Sequence, residues 1–228
     1  VTLDEILIAF LSLLGGYLTP VIVSTGQNLP MPLFTYTLIL GLGAMLAAFY
    51  RKWRAVDWIA FLGTYFLYAS WFDKFYLPAI KYSSAPAEQM HIALGWLSVF
   101  FILYLIMPII YELINKLKSK KEDIILLLIN AAVVIYFLWL ILHDDYRHQL
   151  ALCSLFLSAV HLGLMALVAW RCKDDIRLRQ LLLAIAVFFL TIAVPLRFET
   201  NATAIIWTAM AVVLSLIGLR FRHLPPQK

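Results

Sequence analysis

The stretch NKLKSKKEDIILLLINAAVVIYFLWLIL, residues 115–142, places a basic segment directly before a long apolar one. Residues 124–142 are apolar or aromatic except for Asn130, and a helix needs about 20 such residues to cross the hydrocarbon core of a bilayer. Four lysines stand in residues 115–121, and such clusters are typical of cytoplasmic links. The stretch therefore predicts a transmembrane helix that begins on the cytoplasmic side.

The rest of the chain repeats this pattern. Of its 228 residues 64% are hydrophobic and 14% are charged, with a mean hydropathy of +0.90, whereas about a quarter of a soluble protein is charged. Since the apolar runs do not alternate as barrel strands do, we predict an all-α, polytopic transmembrane helical bundle. It forms a single transmembrane domain over 1–228, built as four helical hairpins from about eight spans. The predicted spans are residues 4–23, 33–50, 56–73, 89–111, 124–142, 149–170, 180–196 and 204–221.

The distribution of the charges predicts the orientation. Fourteen of the 18 lysine and arginine residues lie in the even-numbered links and in the tail after the eighth segment. Because cytoplasmic loops are enriched in these residues, we expect a multi-pass protein of the inner (plasma) membrane with both ends in the cytoplasm. The formal charge of +5 then reflects topology. Since no nucleic-acid motif accompanies these loops, we expect no nucleic-acid partner.

One basic link has two interpretations. It carries Lys116, Lys118, Lys120 and Lys121. These lysines are explained by control of topology alone, and they also fit a site for anionic lipid headgroups. Membrane lipids are therefore the expected partners of this link.

The first segment is interrupted near its outer end by GGYLTPVIVSTG, residues 15–26. Pro20 removes one backbone hydrogen bond of the helix, and the freed carbonyl needs another donor in lipid. On one interpretation Gly15 and Gly16 allow close helix packing, and Ser24 and Thr25 satisfy the loose carbonyls. On the other, the break at Pro20 floors an outward-facing ligand cavity.

Polar side chains inside two predicted spans form a second candidate site. His161 lies near the bilayer midplane and shares a helix face with Ser154 and Ser158, which precede it by seven and three residues. Asn130 in the preceding span is expected at a similar depth. These residues serve either as hydrogen-bonding contacts between helices or as a proton relay or ligand site.

The outer link after residue 142 carries His143, Asp144, Asp145, Arg147 and His148. This cluster is either a solvated turn or a place where the two acidic residues and the two histidines, Asp144 and His148 among them, hold a metal ion. No other cluster accompanies it, so we expect no metal site.

The sequence contains neither a recognisable catalytic motif nor a cofactor motif. Cys153 and Cys172 lie about 28 Å apart along one predicted helix, so they cannot form a disulfide. There is no G-x-S-x-G elbow, no Walker loop and no H-E-x-x-H motif. We therefore expect no cofactor.

Three further stretches, taken together, resemble one family. They are GGYLTPVIVSTG (15–26), RKWRAVDWIAFLGTYFLYASWF (51–72) and AVPLRFETNATAIIWTAMAVVLSLIGLRFR (193–222). They resemble the bacterial multi-span proteins of domain of unknown function 2339. The resemblance implies a long inner-membrane protein built from many hairpins, of which this chain would be one part, and it implies no activity. The family often has an acidic residue three positions after the helix-opening Trp, where this chain has Met210 after Trp207.

These observations favour a non-enzymatic role over an enzymatic one. The leading hypothesis is an envelope transport or scaffold protein that handles a lipid or another amphipathic ligand, with a partner membrane protein or a second copy as a further expectation. The alternative is a membrane-embedded transferase that acts on a lipid-linked substrate and uses His161 or the outer turn at 144–147.

Overall fold

The computed structural model describes residues 3–24, 26–51, 53–82, 87–142, 146–198 and 200–222. Most of these residues are helical and none is in a strand, because long apolar runs satisfy their backbone groups within one segment only as helices. A π-helical turn, Phe72–Tyr76, separates α3 from α4. The α-helices are α1 (Leu3–Ile22), α2 (Pro30–Arg51), α3 (Arg54–Trp71), α4 (Leu77–Tyr82), α5 (Ala87–Ile106), α6 (Ile110–Asn115), α7 (Lys121–Leu142), α8 (Arg147–Arg171), α9 (Ile176–Arg197) and α10 (Thr200–Arg222).

Each predicted span overlaps a long helix. Within the described ranges, five helices are long and apolar enough to cross a membrane: α2, over Pro30–Ala47, and α5, α7, α8 and α9. α1 and α10 contain shorter apolar stretches, Leu7–Ile22 and Asn201–Val212. α3 falls outside both groups, and the charged residues Arg54 and Asp57 in its first turn lower its hydropathy most. The all-helical fold with several candidate spans is confirmed, whereas eight crossings and cytoplasmic chain ends stay predictions.

The helices divide into two compact units. The first unit comprises Val1–Ile141 with Leu167–Leu181, and the second comprises Leu142–Ala166 with Leu182–Lys228. This division into compact units does not test whether residues 1–228 form a single domain, which stays a prediction.

Aromatic side chains form much of the core of the first unit. The ring of Phe34 is fully buried, with its centroid 5.1 Å from that of Trp71 and 5.5 Å from that of Tyr68. The centroids of Tyr68 and Phe137 lie 4.8 Å apart. These contacts join α2, α3 and α7 around one cluster of rings.

Two glycines of the first unit allow close contacts between helices. A Cβ atom at Gly63 would overlap the ring of Tyr17, and one at Gly41 would stand 2.6 Å from the side chain of Leu103. α1 therefore approaches α3 at Gly63, and α5 approaches α2 at Gly41. Small residues at such points permit close packing of membrane helices.

Candidate functional site

The break at Pro20 is closed by a side chain of the next helix. Pro20 lies inside α1 and has no N–H to donate to the carbonyl four residues earlier. That carbonyl belongs to Gly16, and it accepts a hydrogen bond of 2.9 Å from the Tyr36 hydroxyl of α2. The donor that the structure shows is Tyr36, which the sequence did not predict.

Of the two donors expected from the sequence, the structure describes only Ser24. The Ser24 hydroxyl oxygen accepts from the backbone N–H of Gly26 at 3.3 Å, and Thr25 lies outside the described residues. Thr19 donates its hydroxyl proton to the Gly15 carbonyl at 2.8 Å. The Gly15 and Gly16 carbonyls of α1 thus both accept hydrogen bonds from side chains.

This end of α1 lines a cavity of about 570 Å³ in the first unit. Its wall is mainly apolar and aromatic, its polar groups are hydroxyls and an amide, and Lys74 is the one charged side chain among the described residues that line it. We call this space the Pro20 cavity. It is lined by Thr19, Pro20, Val21, Val23, Ser24, Gln27, Leu29, Pro32, Leu33, Tyr36, Phe66, Leu67, Ser70, Trp71, Lys74 and Phe75.

The π-helical turn shapes one wall of the Pro20 cavity. The backbone N–H of Leu77 donates to the carbonyl of Phe72, five residues earlier. Such turns are frequent at functional sites, and this one contributes Lys74 and Phe75 to the wall. The adjoining Trp71 is fixed because its indole N–H donates to Asn28 Oδ1 at 2.8 Å. Sequence reasoning ended the third segment at residue 73 and missed this turn.

Asn130 lies in the interior of the first unit. Its Oδ1 accepts from the Tyr65 hydroxyl at 2.7 Å, and its Nδ2 donates to the Phe101 carbonyl at 3.1 Å. Nearby, the hydroxyl of Thr64 lies 3.1 Å from that of Tyr17 and 2.7 Å from that of Tyr104. These bonds connect helices, which supports the contact role for Asn130. A ligand role for it stays a prediction.

His161, Ser154 and Ser158 are buried in the second unit. His161 Nδ1 donates to the Leu157 carbonyl at 2.8 Å. Ser154 donates to the Leu150 carbonyl at 2.9 Å within α8. Since these partners are carbonyls of the same helix, both hydrogen bonds are local to α8.

Ser158 connects two helices of the second unit. Its hydroxyl donates to the Ala186 carbonyl of α9 at 2.8 Å, and the His161 ring lies 5.4 Å from that of Phe189. These contacts support helix packing as the role of this face of α8. A proton-relay or ligand role for it stays a prediction.

A second proline break lies in α9. Pro195 leaves the carbonyl of Thr191 without its helical donor, and the indole N–H of Trp207 in α10 donates to that carbonyl at 3.3 Å. The carbonyl of Pro195 itself accepts from Arg147 Nη2 at 2.7 Å. In both units a side chain therefore donates the hydrogen bond that the proline cannot donate. We call this replacement the repair of the helix break.

The predicted outer cluster is only partly described. His143, Asp144 and Asp145 lie outside the described residues. His148 Nδ1 accepts from Arg197 Nη1 at 3.4 Å. Across the ranges that the structure describes, no group of three His, Cys, Asp or Glu side chains is placed to hold a metal ion.

The basic link contributes only part of its lysines to a cavity. Lys116 and Lys118 line a space of about 600 Å³ in the first unit, together with Arg171 and Lys173. Lys120 and Lys121 do not line it. Lys121 begins α7, and the backbone N–H of Lys120 donates to Asp123 Oδ2 at 3.0 Å.

Sequence reasoning missed a buried ion pair. Arg54, which the sequence assigned to topology, donates from Nε and Nη2 to the carboxylate of Asp123 at 3.3 and 3.4 Å. Its Nη2 also lies 3.8 Å from the carboxylate of Glu112. Asp123 and Glu112 are 3% exposed or less. The signal available in the sequence was the presence of acidic residues close to two basic links, which could have predicted ion pairs between them.

The fold and these sites define a helical membrane protein with several candidate spans. A family model described as predicted membrane protein (DUF2339) matches residues 4–227, so this chain belongs to that family. The match extends well beyond the three stretches on which the resemblance was based, and it confirms the family assignment. No curated protein and no solved structure matches the chain.

Proposed function

We propose that this protein is an inner-membrane component of the bacterial envelope that binds an anionic amphipathic ligand in the Pro20 cavity, in a transport or scaffold role. The Pro20 cavity is the observation that carries the proposal. It is lined by the end of α1, the start of α2 and the end of α3. On the orientation predicted from the lysine and arginine distribution, these ends lie at the outer leaflet.

The lining residues favour a ligand with an apolar tail. Leu33, Phe66 and Phe75 give the cavity an apolar wall, and apolar surface of this kind gains free energy when it is covered. Phe66 is 59% exposed in the protein alone. A hydrocarbon chain would cover this wall without requiring a polar partner.

The same cavity favours a negatively charged head. Lys74 lines it beside Thr19, Ser24 and Gln27. A cation next to hydroxyl and amide groups offers charge and hydrogen bonds to phosphate or carboxylate oxygens. The ligand class that fits both parts is an anionic lipid or a similar amphiphile.

The contacts of His161 weigh against the transferase alternative. The imidazole is fully buried, donates to a carbonyl of its own helix and packs beside Phe189. These contacts support a packing role. We therefore place ligand handling at the Pro20 cavity and assign no catalytic residue.

Photocrosslinking tests the proposed cavity. The purified protein in phosphatidylcholine nanodiscs is exposed to a lysophosphatidic acid that carries a diazirine on its chain, and labelled peptides are mapped by mass spectrometry. We expect label on the segments around Pro20 and Leu33. Leu33→Trp fills the cavity and should remove most of this label. Ile39→Trp is the matched control, because Ile39 is an exposed residue of the same helix outside the cavity.

The charge of Lys74 is tested with two probes. Lys74→Gln should lower labelling by the lysophosphatidic acid about fivefold, the usual effect of one cation on an anionic lipid, and should leave labelling by diazirine lysophosphatidylcholine unchanged. Lys74→Arg should restore labelling by the lysophosphatidic acid to the wild-type level. Equal labelling of the two cavity segments in wild type, Leu33→Trp and Ile39→Trp would contradict the proposed site.

The orientation is tested by thiol labelling. In a Cys153→Ala/Cys172→Ala background, Gln27→Cys should react with a membrane-impermeant maleimide in intact cells. Lys118→Cys should react only after the cells are opened. The reverse pattern would place the Pro20 cavity at the inner leaflet and overturn the outward-facing assignment.

A further inference from the structure

Two segments of the first unit form a basic cleft at the ends of α6 and α8. One segment follows α6, and the other runs from the last residues of α8 to the start of α9. We call the space of about 600 Å³ between them the basic cleft. It is lined by Lys116, Leu117, Lys118, Trp170, Arg171, Cys172, Lys173, Asp174 and Asp175.

Two hydrogen bonds hold the segments together. The thiol of Cys172 donates to the Glu112 carbonyl at 3.6 Å, and the backbone N–H of Ser119 donates to Asp175 Oδ2 at 2.7 Å. Burial raises the pKa of the Cys172 thiol, with the Asp175 carboxylate as a smaller cause. These hydrogen bonds fix the position of the α8–α9 segment against α6 and the residues that follow it.

The backbone at Lys116 turns the chain into the cleft. Lys116 has φ 54°, a left-handed conformation that is uncommon for residues other than glycine. Its N–H donates to the Glu112 carbonyl and ends α6. The turn places the side chains of both Lys116 and Lys118 on the cleft.

The cleft carries an excess of positive charge. Four of its lining side chains are cationic and two are acidic. The Asp175 carboxylate is already engaged by the backbone N–H groups of Ser119 and Leu178. With both carboxylates counted, the lining set keeps a net charge of +2, which favours an anionic ligand.

Exposed apolar side chains adjoin these cations. Trp170 is 70% exposed and Leu117 is 49% exposed, and both line the cleft. The Arg171 guanidinium lies 5.9 Å from the centre of the Trp170 ring. Tryptophan beside basic residues at the end of a candidate span is typical of the level of lipid headgroups.

We propose that the basic cleft binds the phosphate of an anionic phospholipid of the surrounding membrane, with Leu117 and Trp170 against its acyl chains. Lys118, Arg171 and Lys173 supply charge to the phosphate oxygens. This site differs from the predicted one, because it adds Arg171 and Lys173 and leaves out Lys120 and Lys121.

Native mass spectrometry tests the basic cleft. The detergent-purified protein is mixed with phosphatidylglycerol or with phosphatidylcholine of the same chains, and retained lipid is counted. We expect selective retention of phosphatidylglycerol. The double variant Lys118→Gln/Lys173→Gln should weaken it about twenty-five-fold, since each surface cation contributes about fivefold. Lys116 is left unchanged because its backbone ends α6.

The matched control is Lys120→Gln/Lys121→Gln, which removes the same amount of charge at lysines that do not line the cleft. It should retain phosphatidylglycerol as wild type does, and circular dichroism with thermal unfolding should show both double variants folded. Equal loss in both variants would mean binding by net charge and would overturn the site.

A competition arm separates lipid from soluble phosphate. Inorganic phosphate at millimolar concentration should displace little phosphatidylglycerol, because it lacks the acyl chains that Leu117 and Trp170 contact. Displacement of the lipid by inorganic phosphate, or retention of phosphatidylcholine equal to that of phosphatidylglycerol, would overturn the proposal.

Discussion

The two units each contain a proline that interrupts a long helix, and the two breaks are repaired alike. At Pro20 the carbonyl of Gly16 accepts from the Tyr36 hydroxyl. At Pro195 the carbonyl of Thr191 accepts from the Trp207 indole. In both units an aromatic side chain of the following helix replaces the missing backbone donor, as an apolar environment requires.

The surroundings of the two breaks differ. Pro20 opens onto the Pro20 cavity. The carbonyl of Pro195 is held by Arg147, and the adjoining Arg197 donates to His148. A proline in a membrane helix therefore does not by itself mark a ligand site. The space and the side chains around the break distinguish a cavity from a packed helix end.

The largest effect is expected at the contact that positions the first break. Gly63→Ala would bring a Cβ against the ring of Tyr17 in α1 and should destabilise the protein by about 2–3 kcal/mol. Gly43→Ala is the control, since nothing lies within 4 Å of a Cβ there. The unfolding midpoint in SDS–detergent mixtures measures both. Equal unfolding midpoints for Gly63→Ala and Gly43→Ala would show that the packing of α1 does not depend on its close approach to α3 at Gly63.

The next effect concerns the repair at Pro20. Tyr36→Phe leaves the Gly16 carbonyl without its donor and should cost about 1 kcal/mol. In a Pro20→Ala background the cost should nearly vanish, because the introduced alanine supplies the backbone N–H that proline lacks. Tyr50→Phe, at an exposed residue of the same helix, should be neutral. A cost of Tyr36→Phe that is independent of residue 20 would refute the repair.

A smaller effect is expected at Pro195. Trp207→Phe removes a longer hydrogen bond at a partly exposed position and should cost about 0.5 kcal/mol. The Pro195→Ala background should again abolish the cost. If this double-mutant cycle gave a larger coupling energy than the cycle at Pro20, the ranking of the two repairs would be reversed.

The smallest effect is expected at Arg147. Arg147→Gln removes the hydrogen bond to the Pro195 carbonyl, but the side chain is exposed, so less than about 0.5 kcal/mol should be lost. The same unfolding midpoint measures it. A loss above that for Trp207→Phe would identify Arg147 as the main support of this helix end.

The sequence predicts the helices better than it predicts their side-chain partners. Apolar runs locate the long helices because a bilayer leaves few alternatives, and Gly16 with Pro20 locates the first break. Tyr36 was not predicted as its donor, because that choice depends on how α2 packs against α1. The π-helical turn was missed because nothing in FDKFY (72–76) differs from an ordinary helix.

The residues that line the candidate cavities are also predicted less well by the sequence than the helices are. The four lysines of residues 115–121 are evident in the sequence, but Arg171 and Lys173 follow more than 50 residues later. Only the path of the folded chain brings them to Lys116 and Lys118. The buried pairing of Arg54 with Asp123 spans 69 residues and was missed for the same reason.

The hydrogen bonds of α3 have a consequence for biogenesis. Its Thr64 and Tyr65 hydroxyls find partners on α5 and α7, 40 and 65 residues later in the chain. During synthesis α3 leaves the ribosome before those partners exist, and its low hydropathy gives it little affinity for lipid alone. On the predicted topology, we therefore expect stable insertion of α3 only after α5 and α7 have been synthesised.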